Sequence, residues 1–442
     1  MGRMSVLGRL GAILVAALVV AAVAFLVIRA GGAEIGLGPD ATASASPDAS
    51  EPASPSAEPT GDASASPSAP SEADTQAILS EIEDQVIAIR GLEAADIGPA
   101  EIITREQLGE ELRQLFEEQY PPEEQRRDNL ALRALGLLEA DQDVAELQLD
   151  LLGDSVLGFY DDVKKRMVVV SDAGLDVEAR VTYAHEYTHA LQDAAFGLDS
   201  LQADAPGEDD RGLARVALME GDATVAMLAW MFRHLTPQEI QEYALGAEVP
   251  DTSGIPSWMV AQLSFPYNDG VNWALALGGG DPANPDFADI DAAYGDPPES
   301  TEQIVDLEKW EVRESPRTVE VPDLAAALGA GWEEVDETPI GQATIAIMLE
   351  YFGVRADDAR DAADGWGGDR VVIATGPDDA FALAWRLAWD SPADATEFVD
   401  AYQIVVDGLD FPASVTELPN GEVLVAHGSD EQLLDQAVDA AN

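Results

Sequence analysis

An α+β fold, predominantly helical, is predicted by this 442-residue sequence, and three observations carry it. Apolar residues recur at helical spacing through much of residues 73–364. A strand–turn–strand pattern, "SVLGFYDDVKKRMVVVSD", interrupts them. The tail, 365–442, mixes alternating strand-like stretches with helices, as a small α+β subdomain would.

The elements follow in order. Arg3 and Arg9 precede Leu10–Ile28, a run without a charge. At 1.5 Å per residue it is about 28 Å long, close to the ~30 Å core of a bilayer and longer than the ~7–15-residue apolar region of a cleaved signal. The expectation is a basic cytoplasmic tip (1–9), a transmembrane signal anchor (10–28) and a cell-membrane protein with its C-terminal part outside the cytoplasm. Cleavage near Ala30–Ala33 would make it a secreted one. Residues 29–72, rich in Ala, Ser, Pro and acidic residues, are expected to be a disordered stalk.

Within 73–364, helices are expected at Thr75–Arg90, Glu106–Tyr120, Glu123–Leu138 and Asp143–Leu152, with a short strand at Ile102–Thr104. Strands at Val156–Tyr160 and Arg166–Ser171 flank a turn. Asp172 or Asp176 caps a helix over Val177–Phe196, in which Val177, Val181, Ala184, Thr188, Leu191 and Ala195 mark a buried stripe. A second long helix runs over Leu213–His234. In the tail, "DRVVIATG", "AFALAWRLAW", "SVTELP" and "EVLVAHG" alternate like strands, and helices are expected at Pro392–Val406 and Asp430–Ala440.

Composition removes several classes of function. With 84 acidic against 23 basic residues the net charge is −61, which repels nucleic acid and anionic lipid surfaces. The absence of cysteine excludes disulfides, thiolate metal sites, a cysteine nucleophile and a lipid-modified cysteine.

One stretch carries chemistry. "VTYAHEYTHALQDA" holds two of the four histidines, His185 and His189, with Glu186 beside the first. Residues four apart share a helix face, so both imidazoles can bind one metal ion, and Glu186 can take a proton from a water there. A catalytic zinc site needs a third protein ligand. "ARVALMEGDATVAMLAWMF" is apolar on nearly every face yet carries Glu220 and Asp222, and buried carboxylates are costly unless paired or metal-bound. The two point about 200° apart on a regular helix, so only one can ligate. Glu220 is the expected ligand, and Asp222 the expected hydrogen-bonding support behind it. A donor for the oxyanion is also needed. Tyr267, in "FPYNDG", is the first candidate and His427 the second. Asp193 is expected to support the helix, and Arg370, in "GWGGDR", is an outside candidate for a substrate carboxylate.

"HEYTH" followed by Glu220 on a second buried helix resembles the gluzincin group of zinc metallopeptidases. The resemblance implies a zincin-like core: a β-hairpin with an edge strand beside two long helices. It also implies a zinc ion on His185, His189 and Glu220, Glu186 as general base, and a peptide or protein substrate. Thermolysin-like members carry an aspartate four residues after the ligand glutamate, where this chain has Thr224. "AHEYTHALQD", "EGDAT", "FPYNDG", "PPESTEQI" and "GWGGDR" together resemble exported bacterial metallopeptidases without an assigned substrate. The function expected is a membrane-anchored extracytoplasmic zinc metallopeptidase. The alternative is a catalytically inactive zincin-like binding module of the cell envelope.

Overall fold

Asp176 accepts a hydrogen bond from the Ala179 N–H, and the chain behind it is helical from Val177 to Phe196, the bounds its periodicity predicts. Gly197, at φ 72°, ends that helix in the left-handed conformation that glycine adopts without strain. The computed structural model describes residues 72–442 apart from 156–157, 171–174, 204–206 and 247–251. Within them the fold is mixed α and β, mostly helical, with two sheets.

The first half contains α1 (Glu72–Arg90), β1 (Glu101–Ile103), α2 (Arg105–Gln119), α3 (Pro122–Ala134), α4 (Val144–Ser155), β2 (Gly158–Asp161), β3 (Arg166–Val170), α5 (Val177–Phe196), α6 (Leu198–Ala203) and α7 (Asp209–His234). Shorter helices follow: α8 (Pro237–Gly246), α9 (Ser257–Phe265), a π-helical turn at Pro266–Gly270, α10 (Val271–Leu277), α11 (Ala288–Gly295), α12 (Glu302–Val305), α13 (Leu307–Val312) and α14 (Leu324–Leu328). The last part is β4 (Glu333–Thr338), α15 (Gln342–Tyr351), α16 (Ala356–Ala363), β5 (Trp366–Thr375), β6 (Phe381–Trp389), α17 (Pro392–Gly408), β7 (Ala413–Glu417), β8 (Val423–Gly428) and α18 (Glu431–Ala441).

The small sheet has the order β1–β3–β2. β1 runs parallel to β3, and β2 is an antiparallel edge strand, with Phe159 opposite Val168. Its centre, Met167–Val170, is buried. The large sheet has the order β4–β5–β6–β8–β7, antiparallel throughout. Two main cores result. One joins α1, α5, α7 and the helices around Phe265–Trp310. The other joins α2–α4 to the large sheet, α15 and α17. The large sheet thus starts at Glu333, upstream of the expected subdomain boundary at 365, and shares its core with helices far from the tail.

The basic tip, the transmembrane helix expected at 10–28 and the stalk lie outside the described residues. Among the described residues no helix is long and apolar enough to cross a membrane. The transmembrane assignment is therefore corrected: no described element carries it, and it forms no part of the function proposed below.

α5 differs from its expected stripe. It is buried on all faces from Val181 to Asp193, while Ala195 is exposed, because α1, α7 and the hairpin β2–β3 surround it. "GWGGDR" is a junction between elements. Asp369 accepts from the backbone N–H groups of Ile340 and Gly341 and from the indoles of Trp366 and Trp385. Arg370 binds Gly207 O and Glu208, ahead of α7. "PPESTEQI" does the same from the other side: the Thr301 hydroxyl donates to Asp210 of α7 at 2.5 Å and accepts from the Ala343 N–H of α15.

Candidate metal centre

The residues of "HEYTH" sit mid-helix in the most enclosed part of α5. His185 is 1 % exposed, Glu186 1 % and His189 3 %. α7 crosses this face and places Glu220, 1 % exposed, against both imidazoles. His185 Nε2 lies 3.1 Å from His189 Nε2 and 3.2 Å from Glu220 Oε2, and His189 Nε2 lies 3.4 Å from that same oxygen. Two ligands of one zinc ion, bonded at ~2.0–2.1 Å with a tetrahedral angle between them, stand about 3.3–3.4 Å apart. The triangle is within about 0.3 Å of the size that one such ion requires.

Hydrogen bonding fixes which lone pairs face it. Gln192 Nε2 donates to Met219 O at 3.0 Å and to Asp222 Oδ2 at 2.8 Å. Its Oε1 therefore faces His189 Nδ1, 2.8 Å away, and accepts the proton there. His189 is thereby left with Nε2 as the nitrogen that can give a lone pair to a metal ion. Two imidazole nitrogens and a carboxylate converging on one point, in a buried place, form a donor set that fits a divalent cation.

The electrostatics agree. Burial alone would lower His189, but the Glu220 carboxylate outweighs it and raises that imidazole. Burial alone would raise Glu220, but the charge of His189 and hydrogen bonds from both histidines bring it down. His185 is lowered, chiefly by burial. Glu220 thus acts as an anion that draws positive charge onto His189, beside the place a metal ion would take.

Glu186 points to the edge strand. Its Oε2 accepts from the Tyr160 N–H of β2 at 3.0 Å, and its Oε1 has no hydrogen-bond partner among the described residues. Burial, with Glu220 nearby, pushes its pKa up to about 8 against the opposing effects of His189 and the Tyr160 N–H. The hairpin is fastened to the same helix two turns on. The Tyr160 hydroxyl donates to Asp193 Oδ2 at 2.8 Å, and the Lys165 ammonium pairs with that carboxylate. Asp193 thus ties the hairpin to α5.

Tyr267 does reach the site. It lies on the π-helical turn, 3 % exposed, with its ring centroid 6.4 Å from that of His185. Burial and the Glu220 and Glu186 carboxylates hold its pKa well above the ordinary tyrosine value, and it hydrogen-bonds Glu220, so it stays a neutral donor. The turn meets α7 backbone to backbone at two glycines. A Cβ on Gly221 would lie 2.6 Å from the Gly270 carbonyl carbon, and one on Gly270 would lie 3.0 Å from Ala217 Cα.

Asp222 faces away from the histidines. Fully buried, it accepts from Arg90 Nε at 2.8 Å, Arg90 Nη2 at 3.0 Å, the Tyr294 hydroxyl at 2.8 Å and Gln192. It meets His189 only through Gln192. Thr224 is buried, and its Oγ1, like His185 Nδ1, has no hydrogen-bond partner among the described residues.

Two other candidates lie elsewhere. His427 is a buried residue of β8, its Nδ1 2.8 Å from Ala134 O and its Nε2 3.1 Å from the Tyr402 hydroxyl, so it cannot serve as the oxyanion donor. Arg370 is held by Glu208. Sequence reasoning missed Gln192, Arg90, Tyr160 and Tyr294. A signal existed for two of them: Gln192 is one turn from His189 on the same face, and Arg90 ends an otherwise apolar helix face just before Gly91.

The second carboxylate cluster, Glu302, Glu314 and Asp390, surrounds the Lys309 ammonium, which pairs with all three.

Comparison with known families gives a match outside this centre. Residues 328–433 match a family model described as a domain of unknown function, DUF8575. The match takes in the whole five-stranded sheet and none of the residues that form the histidine–glutamate triangle. No curated protein and no solved structure matches the chain.

Proposed function

We propose that the chain is a zinc-dependent metallopeptidase of the gluzincin type, with a zincin-like core made of the hairpin β2–β3, α5 and α7. The observation that carries the reading is the triangle of His185, His189 and Glu220, with edges of 3.1, 3.2 and 3.4 Å and His189 Nε2 turned inward by Gln192. Zinc held there would polarise a scissile carbonyl and acidify a water.

The chain's own residues supply the rest. Glu186 takes a proton from the attacking water and passes it to the leaving amine. Tyr267 is the donor available to a developing oxyanion once it turns from Glu220. β2 is an edge strand beside Glu186, suited to align an extended peptide by backbone pairing. Peptides of net positive charge are favoured by the acidic surface of the chain.

The test compares the full-length wild type with Glu186→Gln. Both should hold one zinc per chain by elemental analysis. Cleavage of a casein-like substrate should be lost in the variant, by a factor of about 10² to 10⁴. Zinc absent from both would refute the reading. The second reading, a module that binds zinc without cleaving, is favoured by the burial of all four side chains. Stoichiometric zinc without turnover on a broad peptide library would select it.

A further inference from the structure

Arg90 and Asp222 form an ion pair with no side-chain exposure on either partner. Such pairs rarely raise stability, since desolvation offsets their attraction and apolar residues of similar volume often serve as well. Their geometry is more informative. The Arg90 guanidinium holds both oxygens of Asp222, rests 4.5 Å over the Phe287 ring and also pairs with Asp291. Burial alone would lower its pKa, but Asp222 outweighs that and raises it, so the guanidinium stays charged. Gly91, at φ 73°, ends α1 at this residue and fixes where the guanidinium emerges. Asp222 is thereby an immobile acceptor, and one of its oxygens takes the Gln192 amide. With Met219 O holding the second amide hydrogen, Gln192 has one orientation left, its oxygen toward His189 Nδ1.

We propose that Gln192 is a positioning residue of the metal centre, which locks the tautomer and ring angle of His189, and that Arg90 anchors it through Asp222. Helix α1 is thus part of the centre, although none of its residues touches a ligand. This rests on reading the triangle as a metal site. An amide bridge replaces the direct carboxylate–imidazole contact because Asp222, two residues after Glu220, points behind α7.

The experiment uses the full-length chain. Zinc affinity is measured by competition with a chromophoric chelator and ligand geometry by the visible bands of the Co²⁺-loaded protein, for wild type, Gln192→Met, Gln192→Glu and Arg90→Lys. Gln192→Met cannot accept from His189 and should bind zinc about 10- to 100-fold more weakly, with altered Co²⁺ bands. Gln192→Glu keeps an accepting oxygen but loses the amide donor, and its second oxygen meets Asp222 Oδ2 and Met219 O, so it should bind zinc at least as weakly as Gln192→Met. Arg90→Lys loses the two-pronged grip and should fall between wild type and Gln192→Met. Zinc affinity and Co²⁺ bands unchanged in Gln192→Met would overturn the proposal while leaving the zinc site standing. Should that variant fail to fold, an unchanged affinity in Arg90→Lys overturns it equally. A wild type that binds no zinc removes the metal reading itself, and this proposal with it.

Discussion

Replacing Gly221 by alanine is the sharpest test of how the site is held together. Gly221 follows Glu220, the proposed ligand, and its missing side chain lets α7 touch the turn that carries Tyr267. An added Cβ would sit 2.6 Å from the Gly270 carbonyl carbon, closer still to the Gly270 oxygen, and 3.2 Å from Ala274 Cβ. Carbon atoms pack at about 3.5–4.0 Å, so the two backbones must part by about 1 Å. No rotamer can relieve the clash, because the obstructing atoms are main chain. Overpacking of this kind costs about 1–3 kcal/mol, and the gain in helix propensity of alanine over glycine offsets about 1 kcal/mol of that. The larger effect is on function. Parting α7 from the turn moves Tyr267 relative to Glu220, and a ~1 Å misplacement can cost about 10²-fold in rate. Zinc affinity should change much less, since His185, His189 and Glu220 all lie on the α5–α7 side. The assay is kcat/KM on a casein-derived peptide alongside zinc affinity and thermal melting. Full activity and an unchanged melting temperature in Gly221→Ala would refute this account of the packing.

Three further outcomes follow from the structure. Chelation should lower the melting temperature of the wild type, and zinc at a thousandfold excess over Kd should restore about 4 kcal/mol; His189→Ala should abolish the difference, and identical melts with and without chelator would contradict the site. Burial, with Asp369 and Glu302 adding to it, raises Asp210 to about 8, above its unfolded value of 3.8. Its contribution to stability is thus complete below pH ~4 and declines as pH rises toward 8, by up to about 1.4 kcal/mol per pH unit. Asp210→Asn should therefore gain on the wild type as pH rises through this window, and a pH-independent difference in melting temperature would count against it. His427→Leu leaves the Ala134 carbonyl without its partner, which should cost about 1–3 kcal/mol while zinc content and turnover per folded molecule stay constant. A loss of kcat at full stability would return His427 to the catalytic candidates.

What could be read in advance follows how local the determinants are. The limits of α5 were legible because Asp176, Gly197 and a helical period all lie within the segment. β4 was not. "EEVDET" is acidic with little alternation, and it is a strand because β5 pairs with it across a bulge and Arg127 of α3 binds the Glu334 and Val335 carbonyls. The same division runs through the site. His185, Glu186 and His189 are set by one helical turn, and Glu220 stood out as a charge in an apolar helix. The chain Arg90–Asp222–Gln192 joins three helices, with its first two members 132 residues apart, and no spacing encodes it.

The departure at Thr224 can be argued from helix angles. At 100° per residue, position 224 lies about 40° from Glu220 and so faces the histidines, whereas position 222 lies about 200° away and faces α1. This chain places its carboxylate at the second position and a threonine at the first. Of the two histidines, His189 is held through Gln192, while His185 Nδ1 and the Thr224 hydroxyl have no hydrogen-bond partner among the described residues. If the hydroxyl supports nothing, Thr224→Val, nearly the same shape, removes a buried polar group at no loss. The variant should then melt at or slightly above the wild-type temperature, since removing an unpaired buried hydroxyl is neutral or stabilising by about 1 kcal/mol. Its zinc affinity should stay within about threefold of wild type, against the 10- to 100-fold expected when outer support is lost. A fall of tenfold or more would show that Thr224 holds His185 through a bridging water, and the centre would then have support on both histidines rather than on His189 alone.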